Sequence, residues 1–246
     1  GFRNQWHFPG CCGAIDGKHV VIKAPPESGS LYYNYKETNS IVLMAVVDHK
    51  YCFNYIDVGC TGRVSDGGVF RNCSLYQELE NATRNSKMLP RSSYISVISA
   101  DGARAVGVRL KPALVGDNAF PLKEYLLKPF PGNRLTSQQK IFNYRLSRAR
   151  RIVENAFGIL AARFRVFEKP MPYSPEKYEY TVDKENYEAG TIVSGNWRNE
   201  PESLGMQPLP ISLSNRSSQR STDRRERYAN YFVGSGSVSW QTRMIH

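Results

Sequence analysis

Three acidic residues in this chain stand where a metal-dependent phosphodiesterase needs them. Asp16 ends the apolar run Ala14-Ile15-Asp16-Gly17, and Asp117 ends Leu114-Val115-Gly116-Asp117. Glu154 lies in Ile152-Val153-Glu154-Asn155, an arginine-studded stretch of helical periodicity. Three carboxylates brought together repel one another, which raises their pKa values and destabilises the site unless cations relieve it. Mg²⁺ or Mn²⁺ suits such hard oxygen ligands, and a metal pair about 3.5–4 Å apart can flank the attacking and leaving oxygens of an in-line displacement at phosphorus. Each acid also has a plainer reading: Asp16 and Asp117 as turn residues before Gly17 and Asn118, Glu154 as the i,i+4 partner of an arginine. Singly these readings are at least as good; jointly they are weaker.

The elements that would carry these acids follow from the hydrophobic pattern. The run at 41–47 is continuously apolar, as in a strand covered on both faces, and 51–59 alternates. The three residues Asp48-His49-Lys50 between them suit a hairpin. With the β-branched stretch at 11–23, broken at Asp16-Gly17-Lys18, three antiparallel strands arrive in succession. Asp66 is then placed to cap a helix over about 67–79. A fourth strand is expected at 112–117, a short helix near 123–127, and a long amphipathic helix over about 137–167, broken near Gly158. Strands, helix, strand, helix describe a mixed α/β layer. If the fourth strand lies beside the first, Asp16 and Asp117 become neighbours, and a helix across that edge delivers Glu154.

Charge points to a polyanionic partner. The chain of 246 residues carries a formal charge of +11 and a sequence pI near 9.5, an excess that favours such partners through steering and counterion release. Between Arg134 and Lys169 there are nine basic residues against two acidic ones. Of these Arg145, Arg148, Arg150 and Arg151 are the candidates for gripping DNA phosphates beside the cut; Arg150 and Arg151, one helical turn before Glu154, can equally be solvated or paired with it. No run approaches the ~20 apolar residues of a membrane span. The start lacks the features of a secretory signal and an initiator methionine, as in a fragment. The five cysteines are odd in number and form no Cys-x-x-Cys pair, which argues against a disulfide framework or zinc site and fits a reducing, intracellular compartment.

Three longer motifs carry a family resemblance. Gly13-Ala14-Ile15-Asp16-Gly17-Lys18-His19-Val20, Val115-Gly116-Asp117-Asn118-Ala119-Phe120-Pro121-Leu122, and the stretch from Asn143-Tyr144-Arg145-Leu146 to Val153-Glu154-Asn155-Ala156-Phe157-Gly158 resemble the PIF/Harbinger transposases and the nucleases derived from them. The resemblance covers roughly residues 6 to 171. It implies a ribonuclease-H-like fold with a DDE endonuclease site, in which the catalytic acids map onto Asp16, Asp117 and Glu154. The last two stand 37 positions apart. Gly62-Arg63-Val64-Ser65-Asp66 resembles the family's loop after the third strand, where an aspartate recurs, so Asp66 is a helix cap first and a metal neighbour second. His19 reads as structural.

Departures from the family shape the remaining expectations. Residues 85–111, including Asp101, match nothing in it and read as an insertion. The helical DNA-binding region that precedes this domain in such transposases is absent, so a protein partner would have to supply sequence-specific binding. After Lys169-Pro170-Met171 the family continues into an apolar core helix that has no counterpart in the residues that follow. The division expected is thus a DDE endonuclease domain over 1–171 and a basic, low-complexity tail over 172–246, mostly disordered by composition. Within the tail a short helix at 223–232 is expected, with Trp240 available to dock on the domain. The basic segment 214–221 suits a nuclear address or a solvated linker equally. Two functions follow: a metal-dependent DNA endonuclease of transposase origin acting in the nucleus, or a domesticated or degenerate nuclear protein that binds DNA or a partner without cutting.

Overall fold

The apolar run at 41–47 is buried along its whole length, and the sheet is built outward from it. The structure is a computed structural model that describes residues 1–84, 112–167, 169–171 and 217–245, with short strands at 94–95, 108–109, 184–186 and 191–193. In chain order, helix α1 (Phe2–Trp6) leads into strands β1 (Cys11–Val21), β2 (Ser40–Val47) and β3 (Phe53–Thr61), then helices α2 (Asp66–Asn72) and α3 (Ser74–Arg84). Strands β4 (Tyr94–Ile95) and β5 (Val108–Arg109) pair with each other, as do β8 (Lys184–Asn186) and β9 (Thr191–Val193). Between these pairs lie β6 (Ala113–Val115), β7 (Leu126–Leu127) and the long helix α4 (Ser137–Arg163); α5 (Gln219–Val233) follows.

The main sheet has the order β3-β2-β1-β6-β7. Strands β1, β2 and β3 pair antiparallel, while β6 lies parallel to β1 and β7 parallel to β6. This is the mixed α/β sheet expected, with the fourth strand beside the first. Side chains alternate between two covered faces. Ala14, Val20, Leu43 and Ala45 meet α4 and α5 in one core; Ile15, Val42, Met44 and Val46 meet α2, α3 and Phe120 in the other.

Helix α4 is positioned by a capping box, in which the Thr136 hydroxyl accepts from Gln139 N and the Gln139 side chain accepts from Thr136 N. Its buried stripe (Phe142, Leu146, Ala149, Val153 and Ala156 among them) recurs at helical spacing and lies on the sheet. Each large apolar side chain so buried contributes about 1.5–3 kcal/mol.

Several expectations are corrected. β1 does not break at Asp16-Gly17-Lys18 but runs on, since β2 pairs with all three residues. The helix expected over 67–79 is two helices, and its cap is Ser65, which accepts from Gly68 N; Asp66 is the first helical residue. The short helix expected at 123–127 is a turn into β7, drawn into the sheet by pairing with β6. α4 passes Gly158 without a break, because that glycine faces open space and one glycine costs a long helix only about 1 kcal/mol.

A further correction concerns the end of the chain. Residues assigned from composition to a basic tail form α5, longer than the helix expected there, and Tyr228, Ala229 and Phe232 are fully buried against α4. Phe8 stacks on Tyr228 at 5.5 Å and meets Phe232 edge-on at 5.1 Å between ring centres. A mean composition hides such a helix because only a few of its fifteen residues are apolar and these are gathered on one face. Most of the expected insertion at 85–111 lies outside the described residues. Among the described residues, no helix is long and apolar enough to cross a membrane.

Candidate active site

Strand lengths open the site. β6 ends at Val115, opposite Ala14, while β1 runs on to Val21. The chain therefore leaves the sheet beside Asp16, and the departing Gly116-Asp117 brings the second aspartate next to the first. Asp117 Oδ1 accepts from Ala119 N at 2.8 Å, which fixes the turn and the carboxylate together.

A third aspartate arrives from the opposite face. Asp66 opens α2, and the absence of a side chain at Gly17 lets it reach β1: a Cβ there would run into Asp66 Oδ1. Gly67 does the same for the loop after Asp117, since a Cβ at that position would strike the Ala119 carbonyl. Asp16, Asp66 and Asp117 consequently offer one oxygen each within 4.8 Å of one another, all half-buried.

The electrostatics of this cluster are unfavourable as it stands. Burial, countered by Arg150 and reinforced by Asp117, pushes the Asp16 carboxyl up to about 6. Burial together with Asp16 and Asp117 pushes Asp66 up to about 7 against the opposing charges of Lys36 and Arg150. Asp66 Oδ1 is buried and accepts no hydrogen bond. A buried carboxylate oxygen without a donor costs several kcal/mol unless a cation or proton meets it. The donor set is all hard oxygen, so the residues present fit a divalent cation such as Mg²⁺ or Mn²⁺.

Glu154 stands apart from the three aspartates. Its Oε1 is 3.3 Å from Arg150 Nη2, which lies 3.9 Å from Asp16 Oδ2. The Glu154 side chain is 52% exposed against 16% for Asp16. The Arg150 guanidinium thus occupies the space between the two carboxylates and stands in for a cation there. The i,i+4 pairing of Arg150 with Glu154 is present, and the same guanidinium lies beside Asp16.

The four arginines expected to meet DNA separate. Arg151 is exposed and Arg150 half-buried at the cluster. Arg148 packs its guanidinium 4.4 Å from the centre of the Trp240 ring, so Trp240 does dock on the domain. Arg145 is a correction: only 2% exposed, it cannot reach a phosphate. It donates to the carbonyls of His7 and Gly236 and to Gln241 Oε1, and lies 4.4 Å over the Phe232 ring, tying α4 to both ends of the described chain. Helical position placed it with the others; only the arrival of α1 and α5 covered it.

Two cations near the cluster were not singled out from sequence. Lys36 acts on Asp66, and Lys128, which donates to the Asn118 carbonyl at 3.0 Å, is close enough to feel the Asp117 charge. Neither sits in a recognisable motif. His19, read as structural, shares a hydrogen bond of 2.8 Å between Nδ1 and Ser40 Oγ.

A family model described as DDE superfamily endonuclease matches residues 15–183. Protein ALP1-like of Arabidopsis thaliana is 31% identical over 167 residues, which is 67% of this chain and 38% of that protein. The Arabidopsis thaliana protein named Antagonist of Like Heterochromatin Protein 1 is 25% identical over 174 residues, 69% of this chain and 40% of that protein. HARBI1 of Mus musculus, by its name a candidate nuclease, is 25% identical over 178 residues, 71% of this chain and 44% of that protein. The chain thus spans less than half the length of these relatives. No solved structure matches it significantly.

Proposed function

This chain belongs to the DDE superfamily endonucleases, of the Harbinger-derived kind, and from that premise we propose that it hydrolyses DNA phosphodiester bonds with divalent cations held at the aspartate cluster. The observation that carries the reading is the convergence of Asp16, Asp66 and Asp117 from three separate elements, with Asp66 Oδ1 buried and unpartnered. A buried carboxylate oxygen without a donor calls for a partner, and a cation would supply one.

In this reading Asp16, Asp66 and Asp117 would hold Mg²⁺ or Mn²⁺, and Glu154 would join them from α4. Cations bound there supply charge neutralisation for the phosphate and acidify water at neutral pH. Arg150 transfers its guanidinium from the carboxylates to a phosphate oxygen of the incoming strand, a partner for which its planar fork is suited. Arg151, one position on and exposed, adds a second contact that fixes the strand without reading bases. A protein partner that chooses the DNA site also belongs to the proposal, as does action in the nucleus.

Incubating supercoiled plasmid with the protein and Mg²⁺ or Mn²⁺, beside Asp117→Asn and Asp66→Asn, tests the proposal. Nicking by the parent and a loss of at least about a hundredfold in each variant is expected. Equal nicking by all three would discard the site; nicking by none, with DNA binding retained, would favour a scaffold that binds without cutting.

A further inference from the structure

One aromatic side chain beside the cluster is held in solvent by a loop built to keep it there. Tyr35 is 80% exposed, yet its loop is rigid. Asn34, directly before it, is buried; its amide donates to Ser40 Oγ at 2.7 Å and Thr38 Oγ1 at 3.1 Å, while its Oδ1 accepts from Lys36 N at 2.8 Å and Thr38 N at 3.2 Å. Tyr32 is buried on the near side, Ser40 N donates to its carbonyl, and Arg63 Nη1 donates to Ser30 Oγ at 3.2 Å. A large apolar ring projected into water by so many fixed contacts gains nothing for the fold.

Its position relates it to the acids. The His19 ring meets Tyr35 edge-on at 5.4 Å between centres. His19 and Gly17 lie on the same face of β1, two residues apart, which is about 7 Å along a strand. Gly17 is the residue over which Asp66 sits. Lys36 Nζ lies 5.5 Å from the centre of the Tyr35 ring, and its charge acts on Asp66 and His19 alike. Asp66, His19, Lys36 and the exposed ring of Tyr35 therefore follow one another on one side of β1.

We propose that Tyr35, with Lys36 beside it, is a stacking platform for an unpaired base of the DNA strand whose phosphate lies at the aspartate cluster. Bases stack on aromatic side chains irrespective of sequence, and a neighbouring cation holds the backbone. Stacking within a duplex covers both faces of a base, so the strand must be locally opened next to the cut, and the preferred substrate has a gap, flap or frayed end there. Tyr35 is a positioning residue: it acts on the strand, not on the scissile phosphate. The inference rests on the endonuclease reading for the place of the phosphate, but not for the stacking itself.

The test compares the parent with Tyr35→Ala, Tyr35→Phe and, as a control, Tyr51→Ala at the far hairpin, binding a duplex and the same duplex with a short gap, with Ca²⁺ in place of Mg²⁺. Gapped DNA carries 2-aminopurine at the unpaired positions. The expected results are tighter binding of gapped DNA by the parent, fluorescence quenching on binding, and a 5- to 150-fold loss for Tyr35→Ala on gapped DNA alone. Tyr35→Phe and Tyr51→Ala should bind as the parent does. With Mg²⁺, Tyr35→Ala should raise KM for the gapped substrate and leave kcat within about twofold. Unchanged binding by Tyr35→Ala, equal losses for Ala and Phe, or no preference of the parent for gapped DNA would overturn the proposal. If the parent cuts nothing but the binding pattern appears, the endonuclease reading fails and the platform stands; if it cuts and the pattern is missing, the reverse holds.

Discussion

Replacing Asp66 by asparagine should stabilise the cation-free protein and abolish its response to cations. The carboxyl of Asp66 is raised from the ordinary 3.8 to about 7. At about pH 8 an ionised group with that shift costs at most about 4 kcal/mol relative to the unfolded chain. Asparagine keeps the shape and removes the charge. Against that gain stand the loss of a favourable charge in the first turn of α2, about 0.3–1 kcal/mol, and an amide with incomplete hydrogen bonding, about 1–2 kcal/mol. The net expectation is about 2 kcal/mol of added stability, or roughly 4–8 °C in Tm for a domain of this size. Saturating Mn²⁺, near 100 times its Kd, should raise the parent by about 2.7 kcal/mol and the variant by little. Thermal unfolding at about pH 8 in EDTA and in excess Mn²⁺, for both proteins, measures all four values. An Asp66→Asn protein that melts below the parent in EDTA, or that gains as much from Mn²⁺, would refute the reasoning.

Other perturbations should separate roles that sequence lumps together. The raised carboxyls of Asp16 (about 6) and Asp66 (about 7) contribute stability that is fully present below their ordinary 3.8 and lost as pH rises through 6 to 7. In EDTA the parent should therefore lose stability relative to Asp66→Asn across that window, and Mn²⁺ should reverse the trend; parallel Tm–pH curves for the two proteins would speak against it. Arg145→Ala should cost about 3 kcal/mol because buried carbonyls lose their donor, with the DNA affinity of the folded fraction unchanged. Arg151→Ala should leave Tm within about 1 °C but lower the salt dependence of DNA binding by about one unit of slope, as titrations at several salt concentrations would register. Gly17→Ala should displace Asp66 and remove the Mn²⁺-induced rise in Tm, at a packing cost of about 1–3 kcal/mol; a normal response to Mn²⁺ would mean that Gly17 does not set the cluster.

What could be read along the chain was whatever is local or periodic. The continuous run at 41–47 and the alternation after it announce strands, and the apolar spacing of α4 announces a helix. The motifs around Asp16, Asp117 and Glu154 announce an acidic site, because each acid is framed by the strand or helix that carries it. Charge along α4 likewise announces a basic face, but not which arginines remain on it. That depended on distant segments: Arg145 is withdrawn into the core by His7, Gly236 and Gln241, while Arg151 stays in water. Helix α5 was legible only in part: the spacing of Tyr228 and Phe232 announces a short helix with one apolar face, but only the packing on α4 shows that it joins the core.

The division at the site has the same origin. Residue types determined that carboxylates would gather near a cation; the approach of α2 over Gly17 decided that Asp66 joins Asp16 and Asp117 closely, and Arg150 decided that Glu154 stands one guanidinium away. Sequence spacing constrains a side chain's direction within its own strand or helix. Distances between elements are set by packing, where the presence or absence of one Cβ moves a carboxylate into or out of a cluster.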